Sequence, residues 1–372
     1  MPTVQDIFRE YGPGYIEKFG DKIPKEHLKA MEAIINCRTA VCGVAIYECS
    51  ECGEMHHVFR SCGNRNCPGC QHQKSVEWLN RHLEKMLPGH HFLVTFTVPE
   101  EIRPFIRSHQ RIAYNAMFKA SSETMKKLSL DEKYIGGDVP GFFGVLHTWG
   151  RQAQYHPHIH YIVPGGAFSK KDGLWHPTTI DFYLPVHAMS KIYRAKFADL
   201  MKDAKLYHLI PFQVWNMGWN VNVQAVGSAE SSIRYLAPYV FKVAISDSRI
   251  VSAEGGKVTF TYYKKGSSRP RRLTVDATEF IRRFLQHVLP TGFMKIRHYG
   301  FMSSNSSVSL EDIRAYIELN YGFEIQTVKP EIKPIEPIYC PSCGGILVYY
   351  CSILPYQMAP KRTPDKSDKL AA

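Results

Sequence analysis

Apolar positions along the chain change period several times. Over residues 4–35 they recur every three or four places, which predicts one or two amphipathic helices. From residue 37 to 71 that rhythm stops. Short polar and glycine-rich pieces there hold too little apolar material to pack a core unaided, so a metal would have to organise them. A helical pattern returns over 72–87, residues 91–98 (HFLVTFTV) read as a strand, 102–130 as a helix, and 141–149 and 158–163 as two strands in succession. Helical spacing covers 185–206, a strand 220–226, and a helix 229–244 with Pro238 inside it. Residues 257–264 and 271–275 predict a hairpin around Gly266-Ser267-Ser268, followed by a helix over 277–288. Strands and helices mixed with hairpin-length turns imply an α+β fold with a largely antiparallel sheet. After Val328 the run KPEIKPIEPIYCPSCGG reads as an extended linker to a last small element, and the tail from Pro360 as disordered. The units expected are 1–88, 89–328 and 329–372.

Composition narrows the function. At 372 residues the chain is long enough for more than one structural unit, and no apolar run reaches the roughly 18 positions that a membrane helix needs. The N-terminus has no charged segment followed by an apolar one, as a secretion signal would. A net charge of +12 favours a polyanionic partner. There are ten cysteines, and seven of them crowd between Cys37 and Cys70, which suits a reducing compartment and a metal site.

The cysteines carry the strongest local signal. Cys49-Ser-Glu-Cys52 and Cys67-Pro-Gly-Cys70 are two C-x2-C knuckles with fourteen residues between them, a spacing suited to one zinc held by four thiolates. Such a closed shell leaves no position for water and implies structure, not catalysis. Cys37, Cys42 and Cys62 are left over beside His56 and His57, so a second ion or a substitute ligand such as Cys62 stays open. Cys340-Pro-Ser-Cys343 is a further knuckle with only Cys351 close behind it, and its other ligands are not visible in the sequence.

The segment YHPHIHYIVPGG places His156, His158 and His160 on one face of a strand and Ile159, Tyr161 and Val163 on the other. Pro157 makes His156 the less secure of the three, and His158 with His160 can grip one divalent ion. In Arg234-Tyr-Leu-Ala-Pro-Tyr239, Tyr235 and Tyr239 stand one helical turn apart, and a phenol is a usable nucleophile on a phosphodiester.

The ordered set Cys37-Arg-Thr39, Cys49 to Cys52, Asn64-Arg-Asn-Cys-Pro-Gly-Cys-Gln71, His156 to His160, Arg234 to Tyr239 and Lys295-Ile-Arg-His-Tyr-Gly-Phe301 resembles the rolling-circle transposases of the insertion-sequence ninety-one type. These are two-tyrosine members of the HUH endonuclease superfamily. The resemblance runs over roughly residues 30–345. It implies a zinc-binding domain followed by a palm-like antiparallel sheet, with His158 and His160 on a central strand and the helix bearing Tyr235 and Tyr239 laid across it. It also implies single-stranded DNA as partner, a catalytic Mg2+ or Mn2+ beside the structural zinc, and a 5′-phosphotyrosine intermediate. A third metal ligand is expected, His156 being near and Gln152 and Gln154 standing on the approach. Pro238 departs from a regular helix and would alter the relative reach of the two phenols.

Arg65, Lys242, Lys264, Lys265, Arg271 and Arg272 are the cations expected on DNA, the last four flanking Tyr262 and Tyr263 in a pattern suited to stacking bases and tracking phosphates. Neither a membrane nor a small-molecule cofactor is called for, and a cytoplasmic, nucleoid-associated place in a prokaryotic cell is expected. A zinc hydrolase or deaminase would pair its histidine with a glutamate base, and no H-x-E with a downstream P-C-x-x-C stands in that order. A catalytically silent DNA-binding relative of a transposase is the other rival.

Overall fold

A computed structural model of the chain describes all residues except 84, 229–243, 265, 323–335 and 356–372, with the backbone alone at 71–76, 228 and 321. The chain begins with α1 (Val4–Phe19) and α2 (Lys25–Ile35), and α1 starts on a capping box in which Thr3 and Asp6 exchange side-chain-to-backbone bonds of 3.1 and 2.9 Å. A hairpin of β1 (Val44–Cys49) and β2 (Met55–Phe59) leads to α3 (Pro68–Leu83), β3 (His90–Thr97), α4 (Arg103–Ser108) and α5 (Gln110–Leu130). Then come β4 (Phe142–Trp149), β5 (Tyr155–Pro164), the small hairpin β6 (Gly166–Ser169) and β7 (Leu174–Pro177), α6 (Val186–Asp203) and β8 (Val221–Ser228). A second sheet of β9 (Ile250–Glu254), β10 (Lys257–Tyr263) and β11 (Pro270–Asp276) is followed by α7 (Ala277–Leu285), β12 (Ile296–Tyr299), α8 (Leu310–Tyr321) and β13 (Leu347–Ile353). Residues 102–130, predicted as one helix, divide at His109, whose backbone (φ −119°, ψ 39°) leaves the helical region.

The fold is α+β. Its centre is a five-stranded antiparallel sheet in the order β12-β4-β5-β3-β8, flanked by helices. Alternation along the strands sorts the side chains onto two faces. Val94, Phe96, Phe142, Leu146, Ile159, Tyr161 and Val163 form one face and pack into the main core with residues of α5 and α6 such as Met117, Phe118, Tyr193 and Phe197. The other face is divided. Leu93, Phe143, Val145 and Ile162 lie under Trp78 and Leu83 of α3 and the following Met86, whereas the same face further along carries His147, His158, His160, Thr95 and Thr97. Gly144 stands opposite Tyr161, and a Cβ there would lie 2.3 Å from the tyrosine ring. The glycine is what lets that ring lie flat across β4 and place its hydroxyl 2.6 Å from Ser121 Oγ on α5.

α1 and α2 pack against the second sheet and α7. Ile7, Phe8, Met31 and Ile34 share one core with Val258, Phe260, Phe280 and Phe284, and Cys37, Cys67 and Cys70 border it. Arg65, expected on DNA, has its guanidinium engaged within the fold: it donates to the carbonyls of Phe293 (2.7 Å), Pro290 (2.8 Å) and Leu289 (3.1 Å), fastening the cysteine-rich loop to the turn before β12. The three carbonyls lie in the turn after α7, where Pro290 O also accepts from the Phe293 amide at 3.0 Å, and the fixed fork of the guanidinium reaches all three.

Two measurements check this packing. Arg65→Ala is expected to lower stability by about 2–4 kcal/mol in urea unfolding, through loss of charge-assisted bonds to buried carbonyls, while the salt dependence of DNA binding keeps its slope. The second concerns His91, which is wholly buried, has its Nε2 without a partner among the described residues, and is pushed down to about 4 by burial. A histidine whose folded pKa lies below its unfolded value stabilises fully above pH 6.5, and that stability is lost as pH falls toward 4. His91→Leu should therefore reduce the fall in unfolding free energy between pH 7.5 and 5.5 by about 1 kcal/mol; an unchanged fall would show that His91 takes up its proton as readily in the fold as in the unfolded chain.

Candidate functional site

The polar half of the central sheet face is built by register. β5 lies between β4 and β3, with His158 directly opposite both His147 and Thr97, and His160 opposite Val145 and Thr95. Residues opposite one another on an antiparallel pair share a face at about 4.5–5.5 Å, so His147 joins the two histidines of β5 across the strand boundary. The ligand nitrogens of His147, His158 and His160 all lie within 4.8 Å of one another. His147 is buried and the other two are half-buried.

Hydrogen bonds orient the rings. His158 Nδ1 lies 2.7 Å from the carbonyl oxygen of His156. A carbonyl only accepts, so Nδ1 carries the proton and Nε2 keeps its lone pair. His160 Nδ1 lies 2.8 Å from Thr95 Oγ1, a partner that suits the same tautomer. Burial drives His158 down to about 4 and His160 well below its ordinary value, so both rings are neutral at pH 7, the state in which imidazole ligates. Three imidazoles fixed on rigid strands suit one divalent cation with positions left open.

His156, expected as the third ligand, is outside this group. A register shift between His147 and Trp149 removes the β4 residue that would stand opposite it, and its carbonyl is engaged by His158. Gln154 is engaged inside the β4–β5 turn, where its Oε1 accepts from the amide of Gln152 at 2.9 Å. His147 escapes a reading of the sequence because it is one histidine in an apolar strand, and only the pairing of β4 with β5 shows its face.

The cysteines also regroup. The expected set of Cys49, Cys52, Cys67 and Cys70 is split between two places. Cys67 and Cys70 stand with Cys37 and Cys62 at the start of α3, with Cys70 Sγ 3.6 Å from each of the latter two. Cys49 and Cys52 stand with Cys340 and Cys343. The knuckles face different partners because α2 delivers Cys37 to the α3 end while β13 delivers the C-terminal knuckle to β1. In the first quartet the thiols cannot all ionise unaided. A hydrogen bond from Cys67 draws Cys62 down to about 5, while burial pushes Cys37 up to about 11. A cation at the centre removes that conflict. Four thiolates around zinc at about 2.3 Å have S···S edges of roughly 3.8 Å, close to the separations seen here.

Of the predicted DNA contacts, Lys264, Arg271 and Arg272 are exposed on the β10–β11 hairpin, with Arg271 opposite Tyr262. Arg249 ties this hairpin to the β4–β5 turn through Thr261 O and Arg151 O, both at 2.7 Å. Tyr235, Tyr239, Lys242 and Lys265 lie outside the described residues. Among the described helices none is long and apolar enough to cross a membrane.

The chain is similar to known proteins over most of its length. Residues 141–309 match a family model described as "Putative transposase", and residues 7–98 match one described as "Transposase zinc-binding domain". The chain is 34% identical over 331 residues to "Putative transposase y4qJ" of Sinorhizobium fredii, covering 82% of this chain and 81% of that one. It is 23% identical over 354 residues to "Transposase for insertion sequence element IS801" of Pseudomonas savastanoi pv. phaseolicola, covering 88% and 84%. No solved structure matches. With both models in the order that the motifs take, and a relative this similar over four-fifths of its length, the chain belongs to the transposases of the insertion-sequence ninety-one type, which act on DNA and carry a zinc-binding domain.

Proposed function

We propose that the chain is an HUH-type endonuclease that nicks single-stranded DNA at the ends of its element and transfers the strand by rolling-circle transposition, working in the cytoplasm on the nucleoid. The observation that carries this reading is the convergence of His147, His158 and His160, with ligand nitrogens within 4.8 Å of one another, on the central sheet of a transposase. Their donor set fits a divalent ion, and three imidazoles without a carboxylate suit Mn2+ better than Mg2+. Such an ion, when bound, supplies positive charge against the anionic phosphodiester.

The chain's own groups supply the rest. Thr95 and the His156 carbonyl hold two rings in place, and the buried Thr97 and exposed Asn222 extend the polar face. Tyr235 and Tyr239 are the proposed nucleophiles. The phenolic oxygen attacks phosphorus, the bond from phosphorus to the 3′ oxygen breaks, the phenol proton leaves to solvent and the departing oxygen gains one. A 5′-phosphotyrosine ester and a free 3′-hydroxyl result. The ester conserves the bond energy, so a 3′-hydroxyl can reverse the attack on a new strand without ATP. Lys264, Arg271, Arg272 and Tyr263, exposed beside the β4–β5 turn, are proposed to track the strand, with Lys242 and Lys265.

Substituting any one of His147, His158 and His160 by alanine is expected to cut nicking of an element-end oligonucleotide by on the order of 100-fold or more with Mn2+ present, while binding stays within a few-fold because phosphate contacts come from lysine and arginine. Wild-type nicking by His147→Ala together with inactivity of His156→Ala would return the third position to His156. For the nucleophile, incubation with single-stranded DNA should leave an adduct that survives boiling in detergent, reduced or absent in Tyr235→Phe or Tyr239→Phe and absent in the double variant. An adduct at wild-type level in the double variant, or cleaved ends with no adduct under any divalent ion, would exclude these tyrosines as nucleophiles.

A further inference from the structure

Beyond the central sheet, the last described residues return to the N-terminal module. β13 pairs antiparallel with β1 from Val44↔Ile353 to Cys49↔Leu347, completing a three-stranded sheet β13-β1-β2. Without β13 the first two strands are an isolated hairpin, marginal in water. Yet the added strand buries little, for Val348, Tyr349 and Tyr350 are exposed and only Leu347 joins a small cluster with Cys49 and Cys340. Apolar burial on that scale does not hold a chain end in place.

The cysteines do. Cys49-Ser-Glu-Cys52-Gly53 and Cys340-Pro-Ser-Cys343-Gly344 adopt one local geometry. In each, the glycine amide donates to the carbonyl of the first cysteine, at 3.0 and 2.9 Å, with the glycine at φ 70° and 78°, a conformation that favours residues without a Cβ. The two knuckles face each other, with Cys49 and Cys343 sulfurs 3.4 Å apart, Cys52 and Cys340 sulfurs 3.9 Å apart, and all four within 4.8 Å. These separations bracket the roughly 3.8 Å edge of a zinc tetrathiolate. His56 Nε2 lies 3.3 Å from Cys340 Sγ, where its N–H would support a ligating thiolate from outside the shell.

We infer that the protein holds a second structural zinc whose ligands come from both ends of the chain, Cys49 and Cys52 with Cys340 and Cys343, and that this ion fastens the C-terminal strand to the N-terminal module. Cys340 and Cys343 lie outside both family matches, which end at residues 98 and 309. The assignment does not depend on the histidines or tyrosines of the nicking reaction. Cys42 and Cys351 belong to neither quartet.

The full chain, purified without chelator and kept reduced, is expected to carry two zinc ions in native mass spectrometry. The Cys340→Ser/Cys343→Ser variant should carry one and Cys351→Ser two. Alkylation mapped on the unaltered chain decides the matter even where the double variant is insoluble. Cys52 and Cys343 have exposed side chains, so in the zinc-loaded protein they should resist iodoacetamide until a chelator is added, while Cys351 reacts throughout. Two zinc ions retained by the double variant, or Cys52 and Cys343 alkylated as fast as Cys351 with zinc still bound, would overturn the inference.

Discussion

The register of β5 between β4 and β3 is the constraint from which both the core and the site follow. One alternation places Ile159, Tyr161 and Val163 against the α5 and α6 layer and His158 and His160 on the opposite face. A slip of one residue would drive the imidazoles into an apolar layer and expose the aromatics, so the packing enforces the chemistry. The Tyr161 ring makes the slip harder. It fits only over Gly144, and its buried hydroxyl finds Ser121 only in this register. Losing that bond would leave a phenol unsatisfied in a dry interior, a cost of about 1–3 kcal/mol on top of the clash.

The site face is asymmetric, and the first thiolate quartet helps make it so. Cys67 and Cys70 stand at the N-terminal end of α3, and further along the same helix Trp78 and Leu83 cover the apolar half of the sheet face. Through these residues the helix closes Phe143, Val145 and Ile162 from water. A metal held by the quartet would fix where the helix begins. Arg65, between the quartet's second and third cysteines, fixes the same loop to the turn before β12. The zinc-binding region and the central sheet are therefore mechanically continuous.

What the sequence discloses follows the range of each interaction. Period-two alternation placed β3 and β5 to within three residues at their ends, and the hairpin over residues 257–276, because strand faces are local properties. The shared face of His158 and His160 was legible for the same reason. His147 was not, since its role depends on which strand lies beside β5. The pairing of the knuckles failed likewise. A spacing of fourteen residues permits Cys49, Cys52, Cys67 and Cys70 to share an ion, but it cannot report that Cys37 and Cys340 arrive from farther away. The carbonyl contacts of Arg65 were not legible either, because charge suggests phosphate, while carbonyls of the turn after α7 engage a guanidinium equally well. β1, β2 and β13 went unrecognised since their many exposed side chains carry no alternation to read.

The two kinds of metal-ligating cluster differ in a way that assigns their work. Each cysteine quartet offers four anionic donors, enough to close a tetrahedron, neutralise the ion more than completely and leave no position for substrate. The histidine group offers three neutral donors on one side of a sheet, so a divalent ion there keeps its positive charge and its outward positions. An anionic phosphodiester is attracted to the second and repelled by the first. The same protein can therefore depend on metal for its shape at one end and for its chemistry at its centre without the two sites competing, because thiolate charge and imidazole neutrality select opposite roles.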